Sequence, residues 1–403
     1  MARIILAWEL GTNLGHINKL SSLANEFRVQ GHEVVFVLKD LSRAQAFIGQ
    51  QGFDMLQAPI WLPKSIGMPP VETYADILMR MGYLDAEGVI GLVSAWCNLF
   101  KLVKADLVVA DHAPTALLSA HVGNIPSVTF GNSFALPPRT TPLPNLMWWL
   151  KADTNKLMQR ETRVLNTINN VCEYFQRQPL KHLADLFDTE ANFILSLPEL
   201  DNYRQRTGGE YFGPPFNLDI GTGPAWPEKY DKKVFAYLYP GYKNFEVVLQ
   251  ALHSLPCSSI IYAPGVSQQL RAKYESAQLT FASQALNMGD VRKECDLGIC
   301  HSGSGTGAAI LLAGKPLLLL PTQQEQLLAA LRVEELGAAI TIKNENTKTN
   351  YKKHIKDLLN NDIYLQQAQA FSRQYQNMDS EENTRQIVER CLQIINSHAQ
   401  LDK

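Results

Sequence analysis

Long apolar runs are missing from this chain. The opening MARIILAWELG is too short for a signal peptide and is broken by Glu9, and no later run reads as long enough to span a membrane. The expected location is therefore the cytoplasm, with peripheral membrane contact through the paired Trp148 and Trp149 kept as a minor reading, since only Lys151 and Arg139 lie near them. Cysteine is sparse. Cys97, Cys172, Cys257, Cys295, Cys300 and Cys391 include no Cys-x-x-Cys pair and mostly lie in apolar stretches, which reads as reduced core thiols rather than a disulfide framework. An excess of either charge is missing too: 37 Lys and Arg stand against 39 Asp and Glu, a net charge of −2 that draws in neither nucleic acid nor an anionic membrane. Small-molecule chemistry is what these absences leave.

What is present begins with length. At 403 residues the chain exceeds what one hydrophobic core usually serves, so two domains are expected. The first segment reads as strand, loop, helix, strand. RIILAWEL suits a buried parallel strand, Ile17, Leu20, Leu23, Ala24 and Phe27 recur at helical spacing, Gly31 ends the helix, and HEVVFVL is again β-branched and apolar. The loop GTNLGH lacks the spacing of a dinucleotide fingerprint, yet it sets His16 at the first turn of a helix above a strand end, where open parallel sheets bind ligands.

A second strand-to-helix turn, ADLVVADHAPTALLSAHVG, carries Asp111 and His112 after a strand-like run. If that strand lies beside the first, Asp111 reaches the same sheet edge as His16. An imidazole backed by a carboxylate is suited to removing a proton from a hydroxyl, the carboxylate fixing the tautomer and stabilising the imidazolium. The plainer reading is that both residues start helices and satisfy backbone N–H groups.

Residues 206–232, dense in glycine, proline and polar side chains, read as a linker between an N-terminal α/β domain, 1–205, and a second one, 233–380. In the second, a strand ending at Cys300 runs into HSGSGTG. Gly303 and Gly305 allow close backbone approach, Ser304 and Thr306 offer hydroxyls, His301 offers an imidazole, and the following helix start favours an anion, so a diphosphate fits here without a metal. Glycine-rich turns also serve to pack a helix closely on a sheet. Further on, PTQQEQ places Glu325 and Gln326 at a helix start above a strand end, where they suit the hydroxyls of a sugar or, more plainly, cap the helix.

The ordered set of a Gly-His near the N-terminus, Asp111, HSGSGTG, AGKP, and PTQQEQ followed by RVEELGA resembles the family 1 nucleotide-sugar glycosyltransferases over nearly the whole chain. Its specific part is the C-terminal block, where Glu325 and Gln326 stand at the family's offset from Pro321. The resemblance implies an α/β architecture of the GT-B type, two Rossmann-like domains facing a cleft, with the acceptor held by the first and the nucleotide sugar by the second. It implies His16 as general base supported by Asp111, His301, Gly303, Ser304, Gly305 and Thr306 on the donor diphosphate, and Glu325 and Gln326 on the donor sugar. Transfer would invert the anomeric centre, with no tightly bound cofactor and, as the lack of any Asp-x-Asp sequence agrees, no metal. Two departures bear on the donor: Ala309 stands where many members carry a ribose-binding glutamate, and LYPGY replaces the usual glycine-serine turn, so a uridine or a deoxythymidine diphosphate sugar stays open.

The acceptor is read as a small, apolar molecule, with Phe134, Trp148, Trp149 and Trp61 as pocket residues, though ordinary packing is the usual fate of such side chains. Residues 381–403 are expected to form a closing helix that returns to the first domain. Two further classes fit the same architecture: a sugar-nucleotide epimerase, which would need added acid-base carboxylates, and a non-catalytic nucleotide-sugar-binding helper. The oligomeric state is not readable from the sequence.

Overall fold

All thirteen strands described pair in parallel and fall into two sheets. The computed structural model describes residues 1–11, 15–42, 44–204, 206–214, 221–303, 305–343 and 349–401. The chain divides into two units, Met1–Pro215 with Asp379–Lys403, and Phe216–Met378.

The first unit holds β1 (Arg3–Trp8), β2 (Glu33–Leu38), β3 (Asp54–Gln57), β4 (Leu107–Asp111), β5 (Ser127–Gly131), β6 (Ala191–Ile194) and β7 (Glu210–Tyr211), in the order β3-β2-β1-β4-β5-β6-β7. Helices cover both faces, which is why the central strands read as continuous apolar runs such as RIILAW and LVVAD rather than as alternating ones. One face packs Trp96 and Phe100 of the helix Ala86–Val103 with Tyr74 and Tyr83. The other packs Leu20, Leu23 and Phe27 of the helix Gly15–Val29 together with Ile387, Val388, Cys391 and Ile394 of the helix Ser380–Leu401. β7 lies inside the range read as linker. A two-residue edge strand is too short to show a period in sequence.

The helix Ala86–Val103 is long and apolar enough to cross a membrane by length and composition. Its Val89, Val93, Trp96 and Phe100 are buried in the core, Asp85 caps its start by accepting from the Gly88 N–H at 3.1 Å, and Lys104 ends it in the left-handed region at φ 55°. All six cysteines are free thiols, five of them buried.

The second unit holds β8 (Lys233–Tyr237), β9 (Ser258–Tyr262), β10 (Leu279–Ala282), β11 (Leu297–Cys300), β12 (Leu317–Leu319) and β13 (Ala339–Thr341), in the order β10-β9-β8-β11-β12-β13. Two such open parallel sheets are the α/β architecture of the GT-B fold expected from the sequence.

Phe27 has no exposed surface and joins the helix Gly15–Val29 to the strands beneath it. Phe27→Ala should destabilise the first unit by about 3–5 kcal/mol, the usual cost of emptying a buried aromatic site. Urea unfolding followed by tryptophan fluorescence checks this, as a lowered midpoint.

Candidate functional site

β1 and β4 are neighbours with Trp8 in register with Asp111, and the chain leaves them towards opposite edges of the sheet. That reversal leaves a crevice at the strands' carboxyl ends. His16 is the second residue of the helix that follows β1, and its Nδ1 lies 2.8 Å from Asp111 Oδ2. One turn further on, Lys19 Nζ lies 2.6 Å from Asp111 Oδ1. Asp111 has no exposed surface. Burial alone would push its carboxyl up, but the charges and hydrogen bonds of His16 and Lys19 prevail and hold it below the usual carboxylate range.

A carboxylate only accepts, so Nδ1 carries a proton towards Asp111, and in the neutral ring the lone pair is on Nε2. The Trp8 ring stacks on the imidazole, centroids 5.0 Å apart and planes 16° from parallel, and is itself fixed by donating from Nε1 to the Leu10 carbonyl at 2.7 Å. On the Nε2 side stands Gly11, in the left-handed region at φ 87°, where an added Cβ would come within 2.7 Å of Nε2. Glycine there serves the backbone and leaves room beside Nε2. Thr12, Asn13 and Leu14 of the GTNLGH loop lie outside the described residues.

Behind this pair lies a second polar layer. His112 takes a left-handed backbone at φ 47°, and its carbonyl accepts from the Leu10 N–H at 2.9 Å, tying the ends of β1 and β4 together. Burial, with the His16 charge adding, pushes the His112 imidazole down to about 3, so it is uncharged at neutral pH. Glu9 is buried on the helix Pro114–Gly123: its carboxylate accepts from the Thr115 N–H at 2.8 Å and from the Thr115 hydroxyl. Burial outweighs those hydrogen bonds and pushes it up to about 7. Lys39, whose ammonium donates to the Gly11 carbonyl at 2.9 Å, is held below its usual range by burial.

The proposed acceptor residues separate. Phe134 is buried and meets His112 edge-on, with ring centroids 6.1 Å apart. Trp61 lies over the turn between two helices, where a Cβ at Gly82 or Gly88 would strike its ring. Trp148 and Trp149 form an edge-on pair at 5.3 Å, with the Arg204 guanidinium 4.6 Å over Trp148. Among the described residues, only Phe134 of these four has a ring contact within the cluster around His16.

In the second unit the loops after β8, β11 and β12 share the carboxyl ends of adjacent strands. His301 spans them: its Nδ1 donates to the Leu320 carbonyl at 2.7 Å, and its Nε2 accepts from the Tyr239 N–H at 2.8 Å. The ring read as a diphosphate donor thus braces two neighbouring loops. Ser302 takes a left-handed backbone at φ 60°. Gly303 and Gly305 follow, and a Cβ at either would meet nothing within 4 Å, whereas one at Gly298 in β11 would strike Ile310 at 2.6 Å. Gly298 is glycine for packing and the loop glycines are not. Thr306 begins the helix Thr306–Leu312; Ser304 lies outside the described residues. Gln326 folds back on the turn before its helix, its carboxamide oxygen accepting from the Thr322 N–H at 2.9 Å and the Thr322 hydroxyl at 3.0 Å, while Glu325 sits in the first turn.

Sequence reading missed Lys19, Trp8 and the depth at which Glu9 and His112 lie. The i, i+3 spacing from His16 was the available sign for Lys19, and it is a spacing shared by any two residues on one helix face.

Residues 246–390 match the glycosyltransferase family 28 C-terminal domain. Over 280 residues the chain is 26% identical to the PGL/p-HBAD biosynthesis rhamnosyltransferase of Mycobacterium bovis (strain BCG / Pasteur 1173P2), covering 64% of this chain and 60% of that one. It therefore spans about three fifths of the length of those rhamnosyltransferases. Its fold is similar to that of the glycotransferase of kitacinnamycin, with a TM-score of 0.72, 16% identity and 98% of each chain covered. It is also similar to the spinosyn rhamnosyltransferase SpnG complexed with thymidine diphosphate, with a TM-score of 0.69, 16% identity, and 96% of this chain and 100% of that one covered. The resemblance to nucleotide-sugar glycosyltransferases drawn from the motifs holds.

Glu9 makes stability depend on pH. Its folded value, about 7, lies above that of an unfolded carboxyl, so the folded state binds the extra proton between the two values. The stabilisation is fully present below the unfolded value and is lost as pH rises through about 7. Relative to wild type, Glu9→Gln should gain about 2–3 kcal/mol between pH 4.5 and pH 8. Urea titrations of both proteins at the two pH values measure the difference.

Proposed function

Taking as premise that the chain carries the GT-B fold and a glycosyltransferase family 28 C-terminal domain, we propose that it transfers a sugar from a nucleoside diphosphate, uridine or deoxythymidine, to a hydroxyl of a small apolar acceptor. The single observation carrying this reading is the His16–Asp111 pair, 2.8 Å apart at the switch point of the first sheet, with Gly11 beside Nε2.

His16 Nε2 takes the acceptor hydroxyl's proton as its oxygen attacks the anomeric carbon, and the nucleoside diphosphate leaves from the opposite face, inverting the centre. Asp111 stabilises the imidazolium that forms, and Trp8 holds the ring in place. Phe134 and its neighbours supply the apolar wall. The diphosphate rests on the loop after β11, where the unpacked Gly303 and Gly305 expose backbone N–H groups and Thr306 adds a hydroxyl; Ser304 belongs to the same group by sequence. His301 holds that loop to the ends of β8 and β12, and a bond from its Nε2 to a phosphate oxygen requires release of Tyr239 and a proton on Nε2. Glu325 and Gln326 take the donor sugar's hydroxyls. Backbone dipoles and N–H groups stabilise the leaving diphosphate, so no metal is required.

The rhamnosyltransferase name of the relatives and the thymidine diphosphate of SpnG favour a deoxythymidine diphosphate sugar as the first donor to assay. His16→Ala should lower turnover by about a hundredfold or more while leaving binding of deoxythymidine diphosphate or uridine diphosphate unchanged. Initial rates and calorimetry with and without a chelator check both halves. Full turnover in that variant would remove His16 from the mechanism, and a folded protein binding neither nucleotide would remove the donor site.

A further inference from the structure

Asp111 serves two cations at once. Its Oδ2 meets His16 Nδ1 at 2.8 Å and its Oδ1 meets Lys19 Nζ at 2.6 Å, with no surface of Asp111 exposed and only small fractions of the two partner side chains in contact with solvent. One buried negative charge is shared by an imidazole and an ammonium. Of the other titratable groups facing the ring, His112 is uncharged and Lys39 is held on the Gly11 carbonyl, while Glu9, held on Thr115, changes charge near 7 in each of the proteins compared. Trp8 covers one face of the ring with an apolar surface.

We propose that Lys19 is a positioning residue of this site: by taking one carboxylate oxygen of Asp111, its charge offsets the pull that the carboxylate exerts on the imidazole and biases His16 toward its neutral, proton-accepting form. This rests on the reading of His16 as the base, but the electrostatic claim concerns the free protein and is tested without substrate. An Asp111 facing His16 alone would bind the imidazolium more strongly, and the base would reach its active form only at higher pH. Lys19 thereby sets the lower edge of the pH range in which the pair works, while the Oδ1 contact also fixes the carboxylate's rotation.

The test follows the His16 ring carbon–proton NMR signals of the full chain across pH, without donor or acceptor, assigned by their loss in His16→Gln. In Lys19→Gln, which keeps a donor for Oδ1 and removes the charge, the titration midpoint should rise by about one pH unit. In Lys19→Arg, which keeps the charge, it should stay in place. A midpoint unchanged in a folded Lys19→Gln overturns the proposal, as does an equal rise in Lys19→Gln and Lys19→Arg, which would assign the effect to shape alone. Should Lys19→Gln fail to fold, Lys19→Met carries the same comparison. In transfer assays the acid limb of kcat/KM should move with the NMR midpoint. A moved midpoint in a protein showing no transfer would leave Lys19 in its role and overturn the functional reading instead.

Discussion

A carboxylate with no exposed surface keeps its charge only where cations and hydrogen-bond donors replace the water it has lost, and Asp111 at the end of β4 is such a group. Everything around it follows from meeting that demand. The helix after β1 must start where His16 and Lys19, one turn apart, both reach back to one side chain. β1 and β4 must lie side by side, so the sheet's order must reverse there. The chain must also turn sharply after Asp111, which His112 does in a left-handed conformation while its carbonyl holds the Leu10 N–H. Charge, topology and backbone geometry at this point are one arrangement.

The second unit solves a different problem with the same kind of sheet. Its strand-end loops carry no buried charge pair like Asp111 with His16 and Lys19 among the described residues; they are held by a neutral histidine accepting from one backbone group and donating to another. The imidazole of His16 has one nitrogen on a carboxylate and the other beside Gly11, while both nitrogens of His301 are used for bracing. Two histidines beyond strand ends, one in each sheet, thus differ in what lies within 3 Å of their ring nitrogens.

Much of the α/β architecture could be read from the sequence because the central strands are buried on both faces and leave unbroken apolar runs, as in RIILAW, SVTFG and SSIIY. The edges could not be read in that way. β3 is DMLQ, half exposed, and β7 and β13 are two and three residues long, so neither composition nor period marks them. The pairing of His16 with Asp111 spans 95 residues of sequence and followed from a topological rule rather than from any local sign. Lys19 carries no such sign, since a lysine at helical spacing most often points to solvent. Nor could sequence tell that the His301 ring is occupied on both sides, because its partners are backbone atoms of Tyr239 and Leu320 and carry no residue identity.

The helix Ser380–Leu401 belongs to the first unit's core, although the whole of the second unit precedes it in the chain. On a ribosome, the stretch 216–378 is fully synthesised and able to collapse while the first unit still lacks Ile387, Val388, Cys391 and Ile394. The unit that begins first is therefore the one whose sequence is completed last. The apolar face of the helix Gly15–Val29 stays incompletely covered until the last helix has been made.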